Sequence, residues 1–130
     1  MTMWSSDELE TIDHAKELNI ATRRPDGSAR PAVPIWVVRV NDDIFVRSYR
    51  GQDSAWYRHA SSGQSGRVAV AGIERETDFE PVDVEEVQAL STAIDRAYQT
   101  KYASYGDSYV KPMVAQAAQQ ATLRITPHDQ

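Results

Sequence analysis

An almost uninterrupted apolar stretch, residues 32–40, constrains the fold more than any other feature of the sequence. It is rich in β-branched residues, which predicts a strand that is covered on both faces over much of its length. Pro34 lies inside this stretch and has no N–H group to donate to a neighbouring strand. We therefore expect Pro34 at a sheet edge, at a bulge, or at a place where a ligand meets the backbone.

Shorter patterns predict five more strands. Residues 121–126 alternate between apolar and polar positions, and the turn at residues 24–28 contains the Pro and Asp-Gly combination that favours tight turns. In residues 44–49, alternation gives one face with Ile44, Val46 and Ser48 and another with Phe45, Arg47 and Tyr49. The six predicted strands are residues 19–23, 32–40, 44–49, 67–71, 73–79 and 121–126.

Two longer helices are predicted, at about residues 5–18 and 84–102. Ser5 and Glu8 have the spacing of a capping box, and Trp4 and Leu9 have the spacing of a hydrophobic staple at the start of the first helix. Apolar residues at helical spacing predict the second helix, which precedes the last strand. Shorter helices are expected near residues 55–61 and 112–115, with a tyrosine-rich loop at residues 102–109.

These elements predict a single α+β domain over residues 1–130, in which six antiparallel strands form a small barrel with flanking helices. A chain of 130 residues is long enough to bury a core without disulfides or metal ions.

The composition excludes several classes of protein. Fourteen Lys and Arg residues against nineteen Asp and Glu residues give a net charge of −5, which argues against a nucleic-acid-binding protein with a broad basic face. The absence of cysteine excludes thiol catalysis, and no His or carboxylate pattern predicts a metal site. The sequence contains no signal-like segment and no apolar run of membrane-spanning length, so we expect a cytoplasmic protein without a membrane partner.

Residues 47–58 are the strongest candidate for a ligand site. Gly51 allows a tight backbone turn close to a bound group, and Asp53 and Ser54 can cap a helix whose free N–H groups attract anions. A phosphate-binding turn is the first hypothesis. The segment contains three arginines, Arg47, Arg50 and Arg58.

Plainer roles remain open for the same residues. The three arginines could pair with acidic neighbours on a solvated sheet edge, where ion pairs contribute little. These neighbours are Asp53, Glu74, Glu76 and Asp78. For Trp36 and Trp56, packing in the core or a dimer interface is favoured over stacking on a ligand ring. We assign no role to His14 or His128.

The sequence resembles the split β-barrel superfamily, which includes pyridoxamine-phosphate-oxidase-like flavoproteins and deazaflavin (F420)-dependent reductases. The segments that carry this resemblance are residues 30–37, 44–48, 56–57 and 67–70. Residues 49–57, 79–82, 97–98 and 101–102 resemble a bacterial subgroup, the DUF2255 family.

This resemblance implies a homodimer with a flavin-type cofactor, FMN or F420, in a groove at the subunit interface. The cofactor would transfer hydride to or from a small organic substrate, which makes the protein an oxidoreductase. The backbone around Pro34 and Trp36 would lie beside the ring system. By the same resemblance, the cofactor phosphate would be held by Arg47, Ser48, Arg50 and Ser54, with Arg58 as an addition.

Two alternatives reuse the same groove without a redox cofactor, namely a cofactor-free enzyme and a small-molecule-binding protein. Asp53 keeps these alternatives open, because a carboxylate at a helix start competes with a phosphate for the same N–H groups. In a cofactor-free enzyme, the acid or base would be His59 or a tyrosine of the Tyr98–Tyr109 region, with Tyr98 and Tyr102 as the named candidates.

Overall fold

Seven antiparallel strands form one sheet in the computed structural model, which describes residues 3–63 and 65–128. The two ends of the predicted 1–130 domain and Gln64 lie outside the described residues. The order of the strands across the sheet is β2-β1-β5-β6-β7-β4-β3. Their bounds are β1 (Leu18–Thr22), β2 (Val33–Ile35), β3 (Val38–Val40), β4 (Asp43–Arg47), β5 (Ser65–Val70), β6 (Ile73–Pro81) and β7 (Thr122–Pro127).

Helices and short turns flank this sheet. The helices are α1 (Ser6–His14), α2 (Ala55–Gly63), α3 (Gln88–Lys101), α4 (Asp107–Val114) and α5 (Gln116–Gln119), with 3-10 turns at Gly51–Asp53 and Ala103–Tyr105. None of the helices in the described part of the chain is long and apolar enough to cross a membrane.

Both long helices are shorter than predicted. α1 ends at His14, and Leu18 begins the first strand instead of extending the helix. α3 begins at Gln88 rather than near residue 84, because Val84 is buried in the turn that precedes the helix. The capping box between Ser5 and Glu8 is present as predicted.

The prediction of one strand over residues 32–40 is wrong. The stretch forms two strands, β2 and β3, which lie at opposite edges of the sheet although only Trp36 and Val37 separate them in sequence. The sheet must therefore curl until its two edges meet at these two residues, which produces a half-barrel with seven strands rather than six. Pro34 lies on the edge strand β2, one of the places expected for a residue without an N–H group.

The junction between the two edges is held by the C-terminal end of α3. The Tyr102 hydroxyl accepts a hydrogen bond from the Val37 N–H (3.1 Å) and lies 2.8 Å from the Lys16 carbonyl oxygen, to which it donates. Lys101 Nζ donates to the carbonyl oxygens of Val37 (2.7 Å) and Ile12 (3.2 Å). Burial lowers the pKa of Lys101 to about 8 and raises that of Tyr102 to about 12. These two side chains replace the backbone partners that Val37 would have inside a sheet.

Strand β4 is buried on both of its faces. Ile44 and Val46 belong to the larger apolar cluster, which also contains Trp4 and Leu9, the two residues of the predicted staple. Phe45 belongs to the second cluster, which packs beneath α3 and α4 around Tyr98 and Tyr102. The predicted alternation is therefore present over residues 44–47, where the second face is covered by helices, but β4 ends at Arg47 and Ser48 and Tyr49 lie beyond the strand.

We predict that Tyr102→Phe lowers the free energy of unfolding by about 1–3 kcal/mol, because it leaves the buried Val37 N–H without a partner. Urea denaturation measures this loss. Tyr105→Phe is the matched control, since the Tyr105 hydroxyl has no hydrogen bond to any residue in the described ranges and its side chain is 39% exposed. Equal stability of the two variants would contradict the role of Tyr102 at the junction.

Candidate functional site

A pocket of about 920 Å³ lies between the edge strand β2, the turn after β4 and helix α4. Six of the seven residues predicted to bind a cofactor line it: Pro34, Trp36, Arg47, Ser48, Arg50 and Ser54. The seventh, Arg58, does not. Apolar side chains provide much of the remaining wall, namely Val33, Ile35, Ala55, Trp56, Pro112 and Met113. The lining is completed by Glu17, Tyr49, Asp53, Ser108 and Tyr109. The volume lies in the range of small-molecule and cofactor sites, which are largely apolar with a few polar groups.

Arg47 borders this pocket, but its side chain has no exposed surface. Its Nη1 atom donates to Asp95 Oδ1 on α3 (2.5 Å) and to the Met113 carbonyl oxygen (3.0 Å), and its Nε atom donates to Thr122 Oγ1 (3.0 Å). The guanidinium also lies 5.6 Å from the centre of the Tyr98 ring. Arg47 therefore joins β4, β7, α3 and α4 in the interior.

Two buried polar atoms in this region have no hydrogen-bond partner among the described residues. They are Arg47 Nη2 and the Tyr98 hydroxyl. Tyr98 is fully buried, and this burial raises its pKa above the usual value. A Tyr98 hydroxyl with so high a pKa stays protonated, so it can donate a hydrogen bond but cannot act as a base near neutral pH.

The turn after β4 is organised by its own residues. The hydroxyl oxygens of Ser48 and Ser54 lie 2.7 Å apart and share a hydrogen bond. Gly51 has φ +80°, and a Cβ atom there would lie 3.4 Å from Ala117 Cβ on α5. The close neighbour of Gly51 is therefore α5, and Gly51 does not line the pocket.

Three side chains carry the exposed charge of the pocket. Arg50 is exposed, its Nε atom donates to the Tyr49 hydroxyl (3.2 Å), and its guanidinium lies over the Tyr49 ring. Asp53 and Glu17 are also exposed and line the pocket. Within residues 3–63 and 65–128, the Asp53 carboxylate has no hydrogen-bond or ion-pair partner. The reachable surface thus offers one cation and two carboxylates.

The predicted pairing of the arginines with Asp53, Glu74, Glu76 and Asp78 is wrong. The partner of Arg47 is Asp95, which the prediction did not include. Arg23 and Arg67 pair with Glu76, and Arg67 also pairs with Glu74. Asp78 bonds to His128 (2.7 Å), a residue to which no role was assigned. The acidic neighbours on the sheet therefore do not neutralise the turn.

Aromatic rings form part of the pocket and its rim. Trp36 stacks on Tyr102 with ring centres 3.9 Å apart and planes 2° apart, which covers one face of its ring. Trp56 is half-buried against the larger core cluster and also lines the pocket. Tyr49 and Tyr109 line the pocket with 56% and 66% of their surface exposed. Packing and ligand contact are therefore compatible roles for the two tryptophans.

None of the three candidate acids or bases lines the pocket. Tyr102 holds the β2–β3 junction, and Tyr98 is a buried residue of α3 in the second core cluster. His59 lies on α2, and partial burial together with the charges of Arg30 and Arg58 lowers its pKa. No group of three or more His, Asp or Glu side chains within the described ranges is placed to hold a metal ion.

Sequence reasoning missed several residues of the site. Asp95 and Met113, which fix Arg47, lie 48 and 66 residues away from it along the chain, and no local pattern connects them to it. Glu17 was assigned to a helix, although it lies in the link between α1 and β1. The tyrosine-rich segment before residue 110 was the available signal for Ser108 and Tyr109.

Solved structures with the same fold include flavin-binding proteins. A conserved hypothetical protein from Mycobacterium tuberculosis matches with a TM-score of 0.63 and 15% identity, over 100% of this chain and 82% of that one. A FAD-binding protein from Mesorhizobium loti matches with a TM-score of 0.58 and 16% identity, over 98% and 92% of the two chains. An F420 reductase matches with a TM-score of 0.50 and 11% identity, over 92% of each chain.

At these levels of identity the structural matches establish the fold alone. No curated protein has a sequence that matches this chain. The sequence profile of the family described as "Uncharacterized protein conserved in bacteria (DUF2255)" matches residues 8–125, which is most of the chain. The protein therefore belongs to the DUF2255 family.

Proposed function

We propose that the protein binds the ring system of a flavin or deazaflavin in the pocket described above and acts as an oxidoreductase on a small organic molecule. The observation that carries this proposal is the convergence of the β2 backbone and the turn after β4 on one largely apolar pocket of about 920 Å³. The resemblance to the split β-barrel superfamily implies that these two segments hold the two ends of a cofactor. FAD and F420 in the names of proteins with this fold support the same ligand class.

The residues of the pocket fit a planar heteroaromatic ring. Val33, Ile35 and Trp56 provide apolar surface. Pro34 has no N–H group, and because it lies on the edge strand β2 no neighbouring strand needs a hydrogen bond from it. A bound flavin would supply hydride transfer. The protein would orient the ring, exclude water from it with Met113 and the aromatic rim, and leave the open side to the substrate.

A cofactor-free enzyme receives less support. His59, Tyr98 and Tyr102 lie outside the pocket lining, and of the tyrosines in the Tyr98–Tyr109 region only Tyr109 lines it. The carboxylates of Asp53 and Glu17 remain as groups that a substrate could reach. Simple ligand binding without chemistry is the other alternative. It is separated from redox activity by turnover, since an oxidoreductase accelerates the oxidation or reduction of an added small molecule by the bound cofactor and a binding protein does not.

We further propose that the protein is a homodimer whose interface covers the pocket mouth. The support is the large exposed aromatic surface at the mouth, where Tyr49 and Tyr109 are more than half exposed. Tyr105, on the neighbouring 3-10 turn, adds further exposed ring surface. Aromatic residues are enriched at subunit interfaces, and a two-fold contact would place this patch against itself.

We predict that the purified protein quenches the fluorescence of riboflavin, FMN or F420 saturably, with a dissociation constant in the micromolar range. Ala55→Trp should weaken this binding by about tenfold, because Ala55 lines the pocket and an indole would fill it. Ala103→Trp is the matched control, since Ala103 is equally exposed and does not line the pocket. Failure of all three ligands to bind the folded protein would overturn the proposal.

We predict that Arg50→Ala weakens FMN binding by about three- to tenfold, since Arg50 is the exposed cation of the pocket. Arg58→Ala is the control, because it removes the same charge from a residue outside the pocket lining. The two titrations are compared at low salt, where exposed charges interact most strongly. Equal losses in both variants would show that the general charge of the chain, and not Arg50, affects the affinity. Arg47→Ala is a poor test, because Arg47 is a core residue.

We predict that sedimentation gives twice the monomer mass of 14.6 kDa. Tyr109→Asp should shift the protein towards monomer, because it places a charge in the aromatic patch. Val87→Asp, at an exposed apolar residue outside the pocket lining, should leave the dimer intact. A monomeric wild-type protein at micromolar concentration would contradict the proposed interface.

A further inference from the structure

We propose that the pocket selects a flavin-type ligand that carries no terminal phosphate, and that Asp53 sets this preference. This inference rests on the proposed function, since it concerns the same pocket. It differs from the expectation that the turn after β4 holds a cofactor phosphate. The reason is that a phosphate needs positive charge around it, whereas the exposed side chains of the pocket carry a net negative charge.

The first step concerns Arg47, which the sequence placed at the phosphate. Its guanidinium is fully buried and donates to Asp95, Met113 and Thr122. The Asp95 carboxylate neutralises its charge, and Gln119 Nε2 holds the second oxygen of Asp95 at 3.0 Å. The unpartnered Nη2 atom is also buried and has no exposed surface. Arg47 therefore offers no free positive charge to a ligand in the pocket.

The second step concerns the exposed groups. Arg50 is balanced by Asp53, and Glu17 adds a second negative charge on the pocket lining. A phosphate monoester carries a charge between −1.5 and −2 at neutral pH. It would therefore enter a pocket whose exposed side chains sum to −1, where like charges repel.

The third step concerns the donors of the turn. The hydroxyls of Ser48 and Ser54 bond to each other, so one of their two protons is already used. Asp53 lies two residues before Ala55, the first residue of α2. A carboxylate at this place already supplies the negative charge that a helix start favours. The turn thus lacks the free donors and the positive field that a phosphate site requires.

A neutral, hydroxylated side chain suits the same groups. Carboxylates accept hydrogen bonds from O–H groups, and the carboxylate of Asp53 has no partner within the described part of the chain. Arg50 can donate to hydroxyl oxygens in turn. The polyhydroxyl chain of riboflavin presents both kinds of group, whereas FMN adds a phosphate to the same chain.

The test compares riboflavin with FMN, because these ligands share the ring and the side chain and differ in one phosphate. Fluorescence titration should show that the wild-type protein binds riboflavin at least as tightly as FMN. Asp53→Asn should raise the affinity for FMN by about three- to tenfold and change the affinity for riboflavin less than about twofold. Glu10→Gln is the control, since it removes one exposed charge from α1, outside the pocket lining.

Each result has one meaning. FMN bound more tightly than riboflavin by the wild type would overturn this inference and leave the proposed function standing. An Asp53→Asn variant that folds, as judged by circular dichroism, and keeps the wild-type ratio of the two affinities would also overturn it. If the folded wild-type protein binds neither riboflavin nor FMN but binds F420, the preference for a ligand without phosphate is overturned and the proposed function stands. Loss of all three ligands overturns both proposals together.

Discussion

The hydrogen bonds to the Val37 peptide are the constraint on which the rest of the fold depends. β2 and β3 lie at opposite edges of the sheet, so the two-residue link between them exists only if the sheet curls through its full width. Inside the link, Tyr102 and Lys101 satisfy the N–H and the carbonyl of Val37, which no strand can reach. If the Val37 N–H and carbonyl were buried without these partners, each would carry the free-energy penalty of an unsatisfied polar group, which would oppose formation of the link. The same link forms one wall of the pocket, so the junction fixes the site as well as the fold.

The parts of the fold that depend on local patterns could be predicted from the sequence. The capping box of Ser5 and Glu8 requires residues three apart, and the alternation in β4 requires only neighbours. The split of residues 32–40 could not be predicted, because an apolar run gives the same pattern for one long strand and for two short ones. What separates the two cases is the position of Tyr102, which lies 65 residues further along the chain. A strand break held by distant side chains leaves no local signal beyond Pro34.

Arg47 shows the same limit at the site. Its place on one face with Phe45 was predictable, and the structure confirms that alternation. Whether that face contacts a ligand or a helix depends on where α3 lies. In this chain the anion paired with Arg47 is the carboxylate of Asp95 on α3, whereas a ligand phosphate was expected. The neighbouring turn brings Ser48, Arg50 and Ser54 into the pocket lining, and their binding to a cofactor stays a prediction. The grouping of these residues could be anticipated from the sequence, but the charge of the pocket could not, because charge depends on which side chains pair in three dimensions.

A fold shared at 11–16% identity preserves the backbone that surrounds a groove far better than it preserves the side chains in it. In the proposed complex, the backbone of β2 and of the turn after β4 would contact the ring, and this contribution would not depend on side-chain charge. Phosphate binding would instead depend on cationic side chains whose charge is available to the ligand. The charge of Arg47 is neutralised by its ion pair with Asp95, and the charge of Arg50 is balanced by that of Asp53. Ring recognition and phosphate recognition are therefore separable in this fold. A family can keep the first while it loses the second, because different atoms of the same pocket provide them.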